Sequence, residues 1–196
     1  MLQITGGQFR TRRLLVPEDS SVTRPYSQRA REAVFNMLRG HLNGGVVVDL
    51  FAGVGTMGLE SVSRGAVWAL MVEQDRKIHA LLVENVETLG CEEETECLLA
   101  DALGPLVLDR LPKEIDLLFV DPPYAIMESP ERRQRVLSQI AAVAPSMSED
   151  GLVVLRTPLE PREGDHAITG FAGPESRRYG RGMWVLLYSP TEVVST

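Results

Sequence analysis

A chain of 196 residues, 44% of them apolar, is long enough to bury a full core as one domain without disulfide staples. No apolar stretch approaches the length that crosses a bilayer, and the opening "MLQITGGQFRTRR" lacks the apolar core of a secretory signal, so the expected location is the cytoplasm, away from membranes. The formal net charge of −7 counts against a polyanionic partner, but the charge is unevenly placed. Arg10, Arg12, Arg13, Arg24, Arg29 and Arg31 face only Glu18 and Asp19 over residues 10 to 31, and Arg177, Arg178 and Arg181 gather near the C-terminus, while "CEEETE" concentrates acid in the middle. The basic groups are nearly all arginine, which favours forked contacts to phosphate or stacking on bases.

In chain order, "LQIT" and "RRLLV", joined through Gly6 and Gly7, predict a short β-hairpin. After Pro25, "SQRAREAVFNMLRGHL" carries Ala30, Val34, Met37 and Leu38 at helical spacing and predicts an amphipathic helix. Strands and helices then alternate: "VVVDL" with "TMGLESVSRG", "WALMVE" with "DRKIHALLVENVETLG", "TECLL" with "ALGPLVLDRL", and "IDLLFVD" with "PERRQRVLSQIAAVA" through "PPY". The strand "GLVVLRT" follows, and "ESRRYG" and "GMWVLLYS" predict a closing antiparallel pair that turns at Gly180 to Gly182. Strands that read as continuous apolar runs belong in a parallel sheet covered on both faces. The expectation is a doubly wound α/β sheet, mostly parallel, in one domain over 1–196, with the hairpin and helix of 1–42 preceding a core at 43–196. Cys91 and Cys97 read as free or buried thiols, and the scattered His41, His79 and His166 offer no metal site.

"VVVDLFAGVGTMGLE" ends its strand in a glycine turn, with Gly53, Gly55 and Gly58 at the spacing of a dinucleotide site. Asp49, at that strand's end, would repel a phosphate and suits a ligand that carries positive charge. Glu73 and Asp121 close the second and fourth strands, and Asp101 follows the third, so four carboxylates come to the edge where such a sheet binds its ligand. Each one alone could be a helix cap. Glu73 stands 20 residues after Gly53, where an acidic side chain accepts ribose hydroxyls, and Asp101 with Ala102 is placed to meet an adenine edge. A nucleoside with a cationic, phosphate-free reactive end is S-adenosylmethionine.

In "LFVDPPYA", each proline fixes its own φ and removes an N–H, which makes the Asp121 carboxylate and the Pro122 carbonyl a rigid pair of acceptors after the strand. A planar exocyclic amine offers two matching N–H donors. Pro123 stiffens the turn, and Tyr124 supplies a face on which a base can stack.

These residues resemble the class I S-adenosylmethionine-dependent methyltransferases that act on amino nitrogens, with a Rossmann-like sheet. The chain is most similar to the bacterial family that methylates the N2 of one guanine in 16S ribosomal RNA. "GGQFRTRRL", "TRPYSQRAREAVFNML", "LESVSRGA" and "VEQD" carry the resemblance beside "DLFAGVGTMGLE" and "DPPY". Tyr26 stands where the family usually has threonine, and Thr11 where it commonly has glycine. The resemblance implies a donor site of Asp49, Phe51, Ala52, Gly53, Gly55, Gly58, Glu73, Asp101 and Ala102, and a catalytic turn of Asp121, Pro122, Pro123 and Tyr124. It also implies RNA contacts from Arg10, Arg12, Arg13, Arg24, Arg29 and Arg31. The partner would be 16S ribosomal RNA or the assembling small subunit, met by a monomer without a metal. Rival readings are an amino-methyltransferase of DNA adenine N6 or of protein glutamine, a dinucleotide-dependent oxidoreductase, and a non-catalytic RNA-binding module.

Overall fold

The computed structural model describes residues 2–18, 27–162, 165–180 and 182–191. The five apolar runs become β1 (Val46–Leu50), β2 (Trp68–Glu73), β3 (Thr95–Leu99), β4 (Ile115–Val120) and β5 (Met147–Thr157). β6 (Phe171–Arg178) and β7 (Trp184–Pro190) follow, and the helices are α1 (Gln28–Met37), α2 (Thr56–Ser63), α3 (Arg76–Leu89), α4 (Pro105–Asp109), α5 (Tyr124–Glu128) and α6 (Pro130–Val143). All seven strands form one sheet in the order β3-β2-β1-β4-β5-β7-β6. β1 to β5 pair in parallel, and β7 runs antiparallel to both β5 and β6. Strand order reverses between β1 and β4, which opens the crevice in which a sheet of this kind binds its ligand.

Local chemistry sets the helix ends. The Ser27 side chain accepts from Ala30 N at the start of α1, and Asp75 accepts from the N–H groups of Lys77 and Ile78 at the start of α3. α3 stops at Gly90, whose left-handed φ of 69° closes the helix.

Residues alternate between two apolar layers. Val47, Ala69, Met71, Leu117, Phe119 and Val154 pack with α1, α2 and α3, while Val48, Leu50, Leu70, Val72, Leu118, Val120, Val153 and Leu155 pack with α4, α5 and α6. Because side chains along a strand alternate between faces, Asp49, Glu73, Asp121 and Arg156 all fall on the α1–α2–α3 side.

Several elements differ from the expectation. The N-terminal hairpin is a single antiparallel bridge, Gln3 to Arg13, closed by an irregular turn. That turn also bonds closely to α2. Thr5 N and Oγ1 donate to the two Glu60 oxygens at 2.8 and 2.7 Å, Gln8 N donates to the Ser63 carbonyl at 2.7 Å, and Phe9 N donates to Ser63 Oγ at 2.9 Å. Gly7 has to be glycine, since a Cβ there would lie 1.6 Å from the Ser63 carbonyl oxygen. α4 keeps only Pro105–Asp109 of the longer helix expected, because Asp101 and Gly104 form a turn before it. β5 begins at Met147, ahead of the expected Gly151, and the short α5 follows the two prolines directly. The antiparallel closing pair forms as expected. No described helix is long and apolar enough to cross a membrane.

Candidate active site

β1 ends at Leu50, so Asp49 is its penultimate residue, with only 1% of its surface exposed. Asp49 Oδ2 accepts from Gly58 N at 3.0 Å, taking up an N–H that the first turn of α2 would otherwise leave unpaired. The capping role that any single carboxylate could fill is therefore real here. It does not balance the charge: burial pushes the Asp49 carboxyl up to about 8, Asp121 and Glu73 add to the rise, and the Gly58 N–H opposes it. A buried carboxylate offset by no cationic side chain among the described residues suits a cationic ligand.

The glycine turn has three glycines with two different tasks. A Cβ on Gly55, at φ 90°, would sit 2.5 Å from Leu82 Cδ1, and one on Gly58 would sit 2.5 Å from the Met71 side chain. Those two let the turn and α2 pack close to α3 and the sheet. Gly53, at φ 58°, would meet nothing within 4 Å, so its backbone faces open space in which a ligand can lie. Phe51 adopts φ 67°, a conformation rare outside glycine, and marks local strain between Asp49 and Gly53. Nothing in the local sequence signals this. Ala52 is buried, and its N–H donates to the Val72 carbonyl at 2.8 Å.

Glu73, expected to accept ribose hydroxyls, is bound to the glycine turn. Its Oε2 accepts from Gly53 N at 3.0 Å and its Oε1 from Asp75 N at 2.8 Å, which leaves further lone pairs on both oxygens. Asp101 is exposed and accepts from Leu103 N at 2.9 Å, while the neighbouring Ala102 is buried in the second apolar layer.

The Asp-Pro-Pro-Tyr turn lies beside the glycine turn, across the β1–β4 reversal. Pro122 is buried, Pro123 caps α5, and Tyr124 begins it. Asp121 Oδ1 pairs with Arg156 Nε, and the same guanidinium lies over the Tyr124 ring, with Cζ 5.2 Å from its centroid. Burial raises the Asp121 carboxyl to about 6, and Arg156 works against that rise. Arg156 was missed in the sequence. The available signal was position, because it stands at the end of an apolar strand run as Asp121 does.

The expected RNA-facing arginines divide. Arg10, Arg12, Arg13 and Arg29 are exposed, although Arg12 Nη2 also donates to the Thr88 carbonyl at 2.9 Å. Arg31 corrects the expectation. It is 1% exposed, lies 3.7 Å from Glu60, and donates from Nη2 to the Gln3 carbonyl, so it holds the fold together and cannot reach a phosphate on the surface. Arg24, Tyr26 and Arg181 fall outside the described residues.

Comparison with known proteins agrees with the resemblance carried by the motifs. The family described as conserved hypothetical protein 95 matches residues 2–188. The chain is 38% identical over 123 residues to ribosomal RNA small subunit methyltransferase D of Escherichia coli K12, covering 63% of this chain and 60% of that protein. The Haemophilus influenzae protein of the same name is 32% identical over 124 residues, covering 63% and 64%. These alignments span less than two thirds of the relatives' own length. The solved structure of Escherichia coli yhhF, provisionally named a methyltransferase, has a TM-score of 0.78 at 26% identity over 96% of this chain and 97% of that one. The sheet is that of the class I methyltransferases.

Proposed function

The chain belongs to the family described as conserved hypothetical protein 95, and from that premise we propose that it transfers a methyl group from S-adenosyl-L-methionine to the exocyclic N2 of a guanine in 16S ribosomal RNA. The observation that carries the reading is the convergence of Asp49, Glu73 and Asp121 on one face of one sheet edge, beside the open backbone of Gly53. The small-subunit ribosomal RNA methyltransferases among the relatives support the choice of substrate.

The residues fit the donor in kind. Asp49 offers a buried, uncompensated carboxylate to positive charge, Glu73 keeps lone pairs for ribose hydroxyls, and Gly53 leaves room for close approach. Phe51, Ala52, Gly55 and Gly58 shape the turn, and Asp101 with Ala102 closes the adenine side. When bound, the donor supplies a methyl group on a positively charged sulfur that leaves as a neutral thioether.

The chain's own chemistry concerns the amine. A guanine N2 is a poor nucleophile because its lone pair is delocalised into the ring. Asp121 and the Pro122 carbonyl, held by the prolines, accept its two hydrogens and favour the pyramidal form. A carboxyl raised to about 6 is ionised at neutral pH and stands where the proton shed after transfer can be received. Alignment supplies most of the acceleration. The target amine lies on the Watson–Crick edge of guanine, so the base enters only when unpaired or splayed out, with Tyr124 as its stacking face. Arg10, Arg12, Arg13, Arg24 and Arg29 hold neighbouring phosphates. The protein acts as a monomer in the cytoplasm, on free RNA or on the assembling small subunit.

The test is direct. Protein incubated with labelled S-adenosyl-L-methionine and small-subunit RNA, or particles from a strain lacking the activity, yields labelled N2-methylguanosine after digestion. Label in N6-methyladenosine or methylglutamine would replace the acceptor while keeping the methyltransferase. RNA binding without label would leave a binding module.

A further inference from the structure

We propose that Arg156 is the positioning residue of the acceptor site, its guanidinium locking the Asp121 carboxylate and the Tyr124 ring into one arrangement. The inference rests on the reading above, in which those two groups meet the base. Its ground is geometric. β4 and β5 are paired in parallel with Val120 opposite Leu155, so the residues that follow, Asp121 and Arg156, stand side by side on the same face. The Arg156 and Asp121 side chains are 8% and 20% exposed, and Arg156 Nε meets Asp121 Oδ1. The guanidinium then lies over Tyr124, with Cζ 5.2 Å from the ring centroid.

Two consequences follow for a base in the site. The carboxylate cannot rotate freely, because one of its oxygens is engaged, so the acceptor it presents to the amine has a set direction. One face of Tyr124 is also covered by the guanidinium, which leaves the opposite face for stacking and so sets the side from which the base enters. Only an arginine does both, since its plane pairs along its edge and stacks on its face, whereas an ammonium is a point charge.

The charge acts in the same direction. Among the described residues, the charged groups that face Asp121 are Asp49 from β1 and Arg156 from β5, with the Tyr124 ring of α5 against the Arg156 guanidinium. Burial raises Asp121 to about 6, and Arg156 keeps the rise from going further. An ionised Asp121 only accepts, so the oxygen left free by Arg156 receives one N2–H of guanine while the Pro122 carbonyl receives the other.

The experiment measures methylation of small-subunit RNA from pH 5 to 9 for the wild-type protein, Arg156→Gln and Arg156→Lys, with donor affinity by calorimetry. The wild-type kcat is expected to fall below about pH 6 as Asp121 takes a proton. Arg156→Gln is expected to lower kcat at neutral pH by about tenfold or more and to move that limb to higher pH, with donor affinity within about twofold of wild type. Arg156→Lys should keep the limb near its wild-type position while kcat stays reduced, a split that loss of folding would not produce. An unmoved limb with near-normal kcat in Arg156→Gln overturns the inference. If melting curves show that the Gln variant does not fold, wild-type kcat in Arg156→Lys overturns it instead. A wild-type protein that binds donor but methylates no RNA overturns the underlying reading and this inference with it.

Discussion

Asp49 shows how one side chain can be costly to the fold and useful to the site. Its carboxyl is raised from an ordinary 3.8 to about 8, so the folded protein holds a proton that the unfolded chain releases. Its contribution to stability is therefore complete below the ordinary value and is lost as pH rises toward about 8. A cationic donor favours the ionised form, so binding near pH 7 should expel a proton and tighten as pH rises to about 8, which calorimetry in buffers of different ionisation heat will detect. Asp49→Asn should weaken donor binding by about 1.5–3 kcal/mol and flatten the fall in stability with pH. Binding without proton release would remove the donor from Asp49. Thr11 is a second strained residue, a β-branched side chain at φ 70° where a glycine is common in the family it resembles. Thr11→Gly should gain about 1 kcal/mol, or roughly 2–4 °C in melting temperature for a chain of this size.

Among elements, α2 joins the two ends of the site. Its first turn gives the Gly58 N–H to Asp49, and its last turn holds the N-terminal segment through Glu60 and Ser63. Glu60 is fully buried and receives Thr5 N, Thr5 Oγ1 and Arg64 Nε, the last at 2.8 Å, with Arg31 nearby. Glu60→Ala strips these donors of their acceptor and leaves Arg31 buried without its ion-pair partner, which typically costs about 3–5 kcal/mol. The N-terminal turn should then come away from α2. Limited trypsin digestion should cut faster at Arg10, Arg12 and Arg13, while a variant that keeps the wild-type pattern and melting temperature would show the clamp to be unimportant.

Across the whole molecule, charge is segregated and the pI of about 5.1 describes no single surface. The acidic Glu92–Glu94 stand at the foot of β3, one edge of the sheet, and exposed Arg177 and Arg178 line β6, the other. The N-terminal arginines extend from the turn on α2. If Arg10, Arg12, Arg13 and Arg29 hold phosphates, replacing them with glutamine should weaken RNA binding and reduce the log–log salt slope by about 0.7 for each phosphate of a single strand that is no longer neutralised. Arg31→Gln should leave that slope alone and lower the melting temperature, because its partners are Glu60 and the Gln3 carbonyl. An unchanged slope in the fourfold variant would place the RNA elsewhere.

Contiguous residues carried the parts of this protein that depend on local backbone chemistry. The alternation of apolar runs and helical periods sufficed for a covered parallel sheet, and the prolines after Asp121 for a rigid turn, because periodicity and φ restriction act within a few residues. The carboxylates at strand ends were legible for the same reason. Pairings between distant segments were not. Arg31 read as one basic residue among six until α1 was laid on α2, which buried it against Glu60. Three glycines at one spacing looked equivalent, and packing against Leu82 and Met71 separated Gly55 and Gly58 from the open Gly53. Arg156 gave no sign of its partner until strand pairing set β5 beside β4. Register and the packing of one layer on another are decided by complementary surfaces far apart in the chain, and spacing along the sequence does not specify which surfaces meet.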